Sequence, residues 1–257
     1  MRIVVKVGTS TLTYPSGRMN IRRVEELVKV LSDLKNAGHE IILVSSGAIA
    51  MGVGKLNLPG KPQDTPTKQA AAAVGQNELM YAYDRQFSQY SHTIAQVLLS
   101  AEDIHDSIRR TNVENTMNRL LEMGILPVVN ENDTVATAEI HIGDNDTLGA
   151  IVACTVSADL LVLFSDIEGL YTADPRKDPA ARLIPVVTAI TPEIEALAGG
   201  AGSALGTGGM ATKVSAAKAV MAAGCDMIIT NGSRPSVLYD IVDGKAVGTR
   251  FVGGGRA

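Results

Sequence analysis

The chain has 257 residues, of which 46% are hydrophobic, and its 23 basic and 27 acidic side chains give a formal charge of −4. This length fits one large α/β domain or two small ones, and the ordinary apolar fraction excludes a disordered chain. A pI near 5.6 provides no basic surface for nucleic acid or an anionic membrane, so we expect neither as a partner.

Strand-length apolar runs alternate with helical periodicity along most of the chain. The pattern predicts strands at residues 2–7, 40–44, 94–99, 125–129, 160–164 and 227–230, and an extended or hairpin segment at 134–142. It predicts helices at residues 21–34, 66–90, 108–123, 148–156, 192–197 and 212–223. This alternation indicates an α/β fold with a mainly parallel sheet that helices cover on both faces. In such sheets, ligands bind beyond the carboxyl ends of the strands.

Cysteine, histidine and apolar-run patterns exclude several further classes of protein. Cys154 and Cys225 form neither a disulfide scaffold nor a zinc site, which favours a reducing, cytoplasmic setting. Four scattered histidines show no metal-ligand spacing, and we expect no metal held by protein side chains alone. The sequence contains no apolar run typical of a signal peptide and no uncharged apolar run of roughly eighteen residues, so we expect no membrane segment. The 25 glycines, against roughly 18 at average usage, together with the absence of Trp, predict close backbone approach in place of large rings.

Polar strings stand at the ends of the first two predicted strands. Lys6 lies inside a buried strand and precedes Gly8, so its ammonium either meets a phosphate or, on an edge strand, faces solvent. Ser46 and Gly47 follow the second strand, where they either hold an anion at a helix N-terminus or only cap that helix. Val44 stands where a nucleophile elbow needs glycine, which disfavours a serine hydrolase.

The fourth predicted strand leads into the densest polar cluster of the sequence. Asn130-Glu131-Asn132-Asp133 ends that strand, and Gly143-Asp144-Asn145-Asp146 opens a helix ten residues later. Asp144 suffices as the helix cap, so Asn145 and Asp146 need another role. Amides and carboxylates at this place can hold the ammonium and carboxylate of an amino acid, with Asp146 left to organise lysines.

Two later strings have the residues of a nucleotide pocket. Ser165-Asp166 ends the fifth strand and Tyr171 follows in a turn-rich string, which a hairpin alone would also explain. The glycine-rich string 206–210 leads to Lys213 in the first turn of a helix, where a cation opposes the helix dipole unless an anion lies between them. A dinucleotide fingerprint fits this string only weakly, because no strand precedes it and Asp226, twenty residues on, begins a strand.

Together these strings resemble the amino acid kinase family, and within it the glutamate 5-kinases. The matching strings, in family order and spacing, are VVKVGTS, VSSGAIAMG, VNENDTVATAEIHIGDND, SDIEGLYTADPR and LGTGGMATK. The resemblance implies a three-layer αβα sandwich around a mainly parallel, roughly eight-stranded sheet. It also implies a single domain over residues 1–257, with an amino-acid-substrate lobe at about 1–158 and a nucleotide lobe at about 159–257. Many bacterial relatives add a C-terminal PUA domain, which we do not expect here.

The resemblance assigns roles to individual residues of these strings. Lys6 and Lys213 would contact the transferred phosphoryl group from opposite sides, and Asp146 would orient them. The implied substrate-binding residues are Ser46, Gly47, Asn130, Asp133 and Asn145. The implied nucleotide-binding residues are Lys6, Gly8, Ser165, Asp166, Tyr171, Gly206, Thr207, Gly208, Gly209, Met210 and Lys213.

The implied activity is ATP-dependent phosphorylation of the γ-carboxylate of L-glutamate, a first step of proline biosynthesis, by a cytoplasmic transferase. Mg²⁺ is expected on phosphate oxygens and water. Feedback inhibition by proline, a homo-oligomer (dimer or tetramer) and handover of the product to glutamyl phosphate reductase are further implications. Two alternatives stay open: a kinase of the same fold acting on acetylglutamate, aspartate or a phosphate acceptor, and a non-catalytic amino acid sensor.

Overall fold

The computed structural model describes residues 1–135, 144–199 and 209–254. Eight strands lie within these ranges: β1 (Arg2–Val7), β2 (Glu40–Ser45), β3 (Ile94–Leu99), β4 (Leu126–Glu131), β5 (Leu160–Ser165), β6 (Val186–Val187), β7 (Asp226–Asn231) and β8 (Thr249–Phe251). They form one sheet in the order β3-β4-β2-β1-β5-β7-β8-β6. All neighbouring strands are parallel except β7 and β8. The mainly parallel, roughly eight-stranded sheet is therefore confirmed.

Ten α-helices connect these strands within the described residues. They are α1 (Thr9–Leu12), α2 (Ile21–Asn36), α3 (Ala48–Lys55), α4 (Thr65–Phe87), α5 (Ala101–His105), α6 (Ser107–Glu122), α7 (Asn145–Thr155), α8 (Pro192–Ala198), α9 (Met210–Ala222) and α10 (Val237–Val242). A single 3₁₀ turn, Ser88–Tyr90, extends α4. In the ranges that the structure describes, none of the helices combines the length and apolar character needed to cross a bilayer.

The period-two alternation of the strands divides the core into two layers, one on each face of the sheet. Ile3, Val5 and Val7 of β1 belong to the core cluster that also contains the buried side chains of α2, α4 and α10. Val4 belongs to the opposite cluster, which contains those of α6, α7 and α9. The result is the three-layer αβα sandwich, and it places Lys6 on the same face of β1 as Val4.

Helices α3 and α4 cross at the distance of direct backbone contact. A Cβ on Gly75 of α4 would lie 1.8 Å from the Ala48 carbonyl oxygen, and one on Gly52 of α3 would lie 1.8 Å from that of Ala71. Only glycine fits at both places, since no real Cβ contact is that short. Part of the glycine surplus therefore serves helix packing. This crossing places the buried face of α4 next to the ends of β2 and β4.

The structure differs from the sequence prediction mainly in short elements. Helices α1, α5 and α10 and strands β6 and β8 were not predicted, because two to six residues are too few to display a period. Helix α7 begins at Asn145, before the periodic stretch 148–156, and its predicted cap Asp144 accepts from the backbone N–H groups of Asp146 and Thr147. Most of the extended segment predicted at 134–142 lies outside the described residues, and Thr134 and Val135 lie in a turn.

Candidate active site

A buried carboxylate between two lysines lies at the centre of the sheet. Lys6 is near the carboxyl end of β1, the strand between β2 and β5. Asp146 lies in the first turn of α7, and Lys213 in the first turn of α9. Lys6 Nζ lies 2.6 Å from Asp146 Oδ1, and Lys213 Nζ donates to Asp146 Oδ2 at 2.8 Å. Each lysine thus has its own oxygen of one carboxylate.

Burial and charge together set the protonation state of this cluster. Asp146 is 1% exposed, Lys6 8% and Lys213 6%. Burial acts to raise the pKa of Asp146, but the ammonium groups of Lys6 and Lys213 outweigh it and hold that pKa below its ordinary value. The carboxylate is therefore ionised at neutral pH. With both lysines charged, the cluster carries one net positive charge and suits an added anion.

Helix α7 packs on β1 directly beside Lys6. Gly149 stands one turn after Asp146, and a Cβ there would lie 3.5 Å from the Lys6 Cβ. Thr212 of α9 lies on the other side, where its hydroxyl donates to the Gly209 carbonyl oxygen at 2.8 Å and lies 3.3 Å from Asp146 Oδ2. Sequence reasoning missed both residues. The i+3 spacing of Gly149 from Asp146 on one helix face was the available signal.

These positions decide two of the questions left open by the sequence. The edge-strand alternative for Lys6 is wrong, because β1 has a partner on each side and the side chain is buried. The anion that compensates Lys213 against the α9 dipole is the Asp146 carboxylate, a protein group.

A second group of polar residues continues from Asp146 along the strand ends. Asn145 Nδ2 donates to Ser46 Oγ at 2.6 Å and to Asn130 Oδ1 at 3.2 Å. Ser46 does not cap α3; the N-cap is Gly47, whose φ of +107° favours glycine and which forms no side-chain cap bond. The structure thus brings together Ser46, Asn130 and Asn145, three residues to which the resemblance assigns substrate binding.

Two residues of α4 that the sequence pattern did not indicate support this group from the opposite face of the sheet. The Gln76 side chain accepts from Asn130 Nδ2 at 3.0 Å and donates to Gln96 of β3 at 3.2 Å. The Tyr83 hydroxyl lies 2.9 Å from Ser45 Oγ, directly before Ser46. Both lie on the buried face of α4 with Leu79, so a polar residue on a helix face that is otherwise apolar was the missed signal.

The remaining predicted residues lie at the same edge of the sheet or outside the described residues. Gly8 follows β1, and a Cβ on it would stand 3.8 Å from Lys6 Nζ. Ser165 ends β5 beside β7, and its hydroxyl donates to the exposed Asp166 at 3.2 Å. Asp133 lies in the turn after β4, Tyr171 bridges to Leu183, and Gly209 and Met210 cap and open α9. Gly206, Thr207, Gly208 and Gly143 lie outside the described residues.

The donor set beside the lysines fits a phosphate group better than a metal ion held by side chains. Across the described residues, no group of three or more His, Cys, Asp or Glu side chains is placed to hold a metal. Both oxygens of Asp146 are occupied by ammonium groups. A divalent cation at this site would therefore take its ligands mainly from phosphate oxygens and water, as Mg²⁺ commonly does.

Comparison with known proteins shows the family of this chain. Residues 1–231 match the model of the amino acid kinase family. The glutamate 5-kinase of Clostridium tetani is 55% identical, covering 97% of this chain and 93% of its own length, and that of Clostridium perfringens is 53% identical, covering 98% and 95%. The structure of carbamate kinase from Giardia lamblia bound to AMP-PNP shares the fold, with a TM-score of 0.68 over 98% of each chain at 16% identity. The chain therefore belongs to the amino acid kinase family and, within it, to the glutamate 5-kinases.

Proposed function

We propose that this enzyme transfers the γ-phosphoryl group of ATP to the γ-carboxylate of L-glutamate, giving L-glutamyl 5-phosphate and ADP. The observation that carries the proposal is the buried Lys6–Asp146–Lys213 cluster next to the amides of Asn130 and Asn145. One end suits a phosphoryl group, and the other suits the polar groups of an amino acid. Identity above 50% to glutamate 5-kinases over nearly the whole chain supports this acceptor.

The two lysines act on the group that is transferred. A carboxylate oxygen of glutamate attacks the γ-phosphorus in line, and the bond from that phosphorus to the β,γ-bridging oxygen breaks, so that this oxygen leaves with ADP. Lys6 and Lys213 neutralise charge on the transferred group, and Asp146 holds both ammonium groups in place before the substrates arrive. The attacking carboxylate is ionised at neutral pH and needs no general base.

Glutamate is held by the residues at the ends of β2 and β4. Ser46, Gly47, Asn130, Asp133 and Asn145 surround the substrate. Ser46 Oγ accepts from Asn145, so its own proton remains to donate to a substrate carboxylate. Asn145 uses both N–H groups on Ser46 and Asn130, so Oδ1 is the atom that it offers to a substrate ammonium.

ATP is held by the ends of β1 and β5 and by the start of α9. The residues concerned are Lys6, Gly8, Ser165, Asp166, Tyr171, Gly209, Met210 and Lys213, with Gly206, Thr207 and Gly208 of the preceding string. Mg²⁺ would be held mainly by phosphate oxygens and water, and would supply charge neutralisation. In the single domain that we propose, residues 1–158 carry the amino-acid side and residues 159–257 the nucleotide side; strands β1–β4 form one half of the sheet and β5–β8 the other.

Several properties of relatives extend to this enzyme as predictions. We expect a dimer or tetramer, inhibition by proline that competes with glutamate, transfer of the unstable acyl phosphate to a reductase, and a cytoplasmic location. Each of these properties can be tested independently of the reaction itself. Light scattering, inhibition kinetics and coupled turnover would measure the first three.

Hydroxylamine trapping tests the reaction directly, because an acyl phosphate gives a hydroxamate. The purified enzyme is incubated with Mg-ATP and glutamate, acetylglutamate, aspartate, carbamate or UMP. We expect a hydroxamate and stoichiometric ADP with glutamate, and loss of both in Lys6→Ala with glutamate binding retained. Stronger turnover with another acceptor would replace glutamate by that acceptor. Glutamate binding without ADP formation would instead make the chain an amino acid sensor.

A further inference from the structure

A line of side-chain amides runs from the substrate end of the site to the exposed edge strand β3. Its members are Asn145, Asn130, Gln76 and Gln96, and we call it the amide relay. Asn145 Nδ2 donates to Asn130 Oδ1 at 3.2 Å, Asn130 Nδ2 donates to Gln76 Oε1 at 3.0 Å, and Gln76 Nε2 donates to Gln96 Oε1 at 3.2 Å. Every bond points the same way, with the donor on the side of the substrate.

The members of the amide relay differ in how far they are exposed to solvent. Asn130 is 3% exposed and Gln76 is 8% exposed, whereas Gln96 is on the surface. Inside the protein, an amide cannot turn alone, since its N–H₂ would then face another N–H₂ or its oxygen another oxygen. The relay therefore has two self-consistent directions, the observed one and its complete reversal. In the reversed direction, Asn145 would present N–H groups to the substrate in place of Oδ1.

We propose that Gln76 is a positioning residue that holds the amide relay in the direction needed to accept the substrate ammonium at Asn145 Oδ1. This rests on the proposed function for the identity of the ligand. Gln76 accepts from Asn130, which turns Asn130 Oδ1 towards Asn145. That in turn commits the Asn145 N–H groups to Asn130 and Ser46 and leaves Oδ1 for the ligand. Gln76 acts through Asn130 and Asn145 without touching substrate.

Two substitutions of Gln76 by residues of similar size distinguish the effect of the relay's direction from the effect of side-chain packing. In Gln76→Glu, both oxygens accept, so Asn130 must keep its N–H₂ towards residue 76, and the observed direction is retained. In Gln76→Met, no acceptor faces Asn130, and its amide loses the bond that orients it. Gln86→Met makes the same chemical change on the same helix away from the relay. Glutarate, which lacks the α-ammonium group, serves as a ligand that does not need Asn145 Oδ1.

The experiment measures glutamate and glutarate binding by calorimetry, and hydroxamate formation, in all four proteins. We expect Gln76→Met to weaken glutamate binding by about tenfold or more, with glutarate affinity and KM for ATP changed less than about threefold. Gln76→Glu should bind glutamate within about threefold of the wild type. Thermal unfolding of each variant reports folding separately.

Three results would overturn the role of Gln76: unchanged glutamate affinity in Gln76→Met, an equal loss for glutarate, or a loss in Gln76→Glu as large as in Gln76→Met. A merely structural role predicts the second or third result, with affinity following Tm. If the wild type binds glutamate but forms no hydroxamate, the proposed reaction is wrong while the affinities still test the relay. If it does not bind glutamate, both proposals fail.

Discussion

Replacing Asp146 by asparagine removes the negative charge between two buried lysines without changing side-chain size. The two ion pairs, at 2.6 and 2.8 Å, would be lost, and two ammonium groups would remain together in a site where both lysines are less than 10% exposed. Removing one partner of a buried ion pair costs about 3–5 kcal/mol. Because 1 kcal/mol corresponds to roughly 2–4 °C in a chain of this size, we expect Tm to fall by ~10 °C.

The pH dependence gives this prediction a second, independent readout. The folded-state pKa of Asp146 lies below its ordinary value, so the unfolded chain binds the proton more readily. The carboxylate therefore contributes its full stability above the unfolded pKa of about 3.9, and the contribution is lost as pH falls through the folded value. Calorimetric scans should show a large, constant difference in Tm between wild type and Asp146→Asn near neutral pH, shrinking in acid.

Asp240→Asn is the matched control, because Asp240 pairs with Lys245 at 2.7 Å on the exposed surface. Solvent screens that pair, and the control should leave Tm almost unchanged. We also expect Asp146→Asn to lower kcat by about 100-fold, since both lysines lose their positioning. A Tm for Asp146→Asn that matches the control, or a difference that does not shrink in acid, would refute the charge reasoning.

Three further substitutions test other parts of the structure. Lys213→Met should reduce kcat by about 100-fold or more, while the glutamate affinity measured by calorimetry stays within about threefold of the wild type. Lys218 is an exposed lysine on the same helix, and the control variant Lys218→Met should remain active. Gly75→Ala places a Cβ 1.8 Å from a backbone oxygen and should lower the free energy of unfolding in urea by about 3 kcal/mol or more. Gly60→Ala is the control, because a Cβ at Gly60 would stand in open space and should leave that free energy unchanged. Equal stability of the two variants would disprove the close contact between α3 and α4. Tyr83→Phe removes a buried hydroxyl bonded at 2.9 Å and should cost about 1 kcal/mol; no loss would mean that the hydroxyl bond adds nothing.

The local pattern of the sequence was sufficient to predict the main strands and helices. Strand β1 lies at Arg2–Val7 and β3 at Ile94–Leu99, as predicted from apolar runs of strand length. Helix α2 buries Val24, Leu27 and Leu31 as the helical spacing requires. These features depend on residues close together in the chain, where period and propensity act directly.

Part of the chemistry of the candidate site could also be predicted from the sequence. Lys6 and Lys213 were singled out because burial or a helix dipole makes a lone cation costly at their positions, and Asp146 because Asp144 already suffices as the helix cap. The sequence could not show that they meet, because 67 residues separate Asp146 from Lys213 and 140 separate it from Lys6. Residue type indicated that each lysine needs an anionic partner. It did not indicate that one carboxylate serves both.

Only the tertiary structure decided which face of each element meets which neighbour. The position of β1 between β2 and β5 buries Lys6 and excludes the edge-strand alternative. The contact of Gly75 with α3 sets α4 where Gln76 reaches Asn130, a pairing across 54 residues that no local period encodes. The sequence by itself thus determined the segments and the charged groups that need partners. Their pairing follows from strand order and helix packing, since those long-range contacts fix the distances between groups that are remote in the chain.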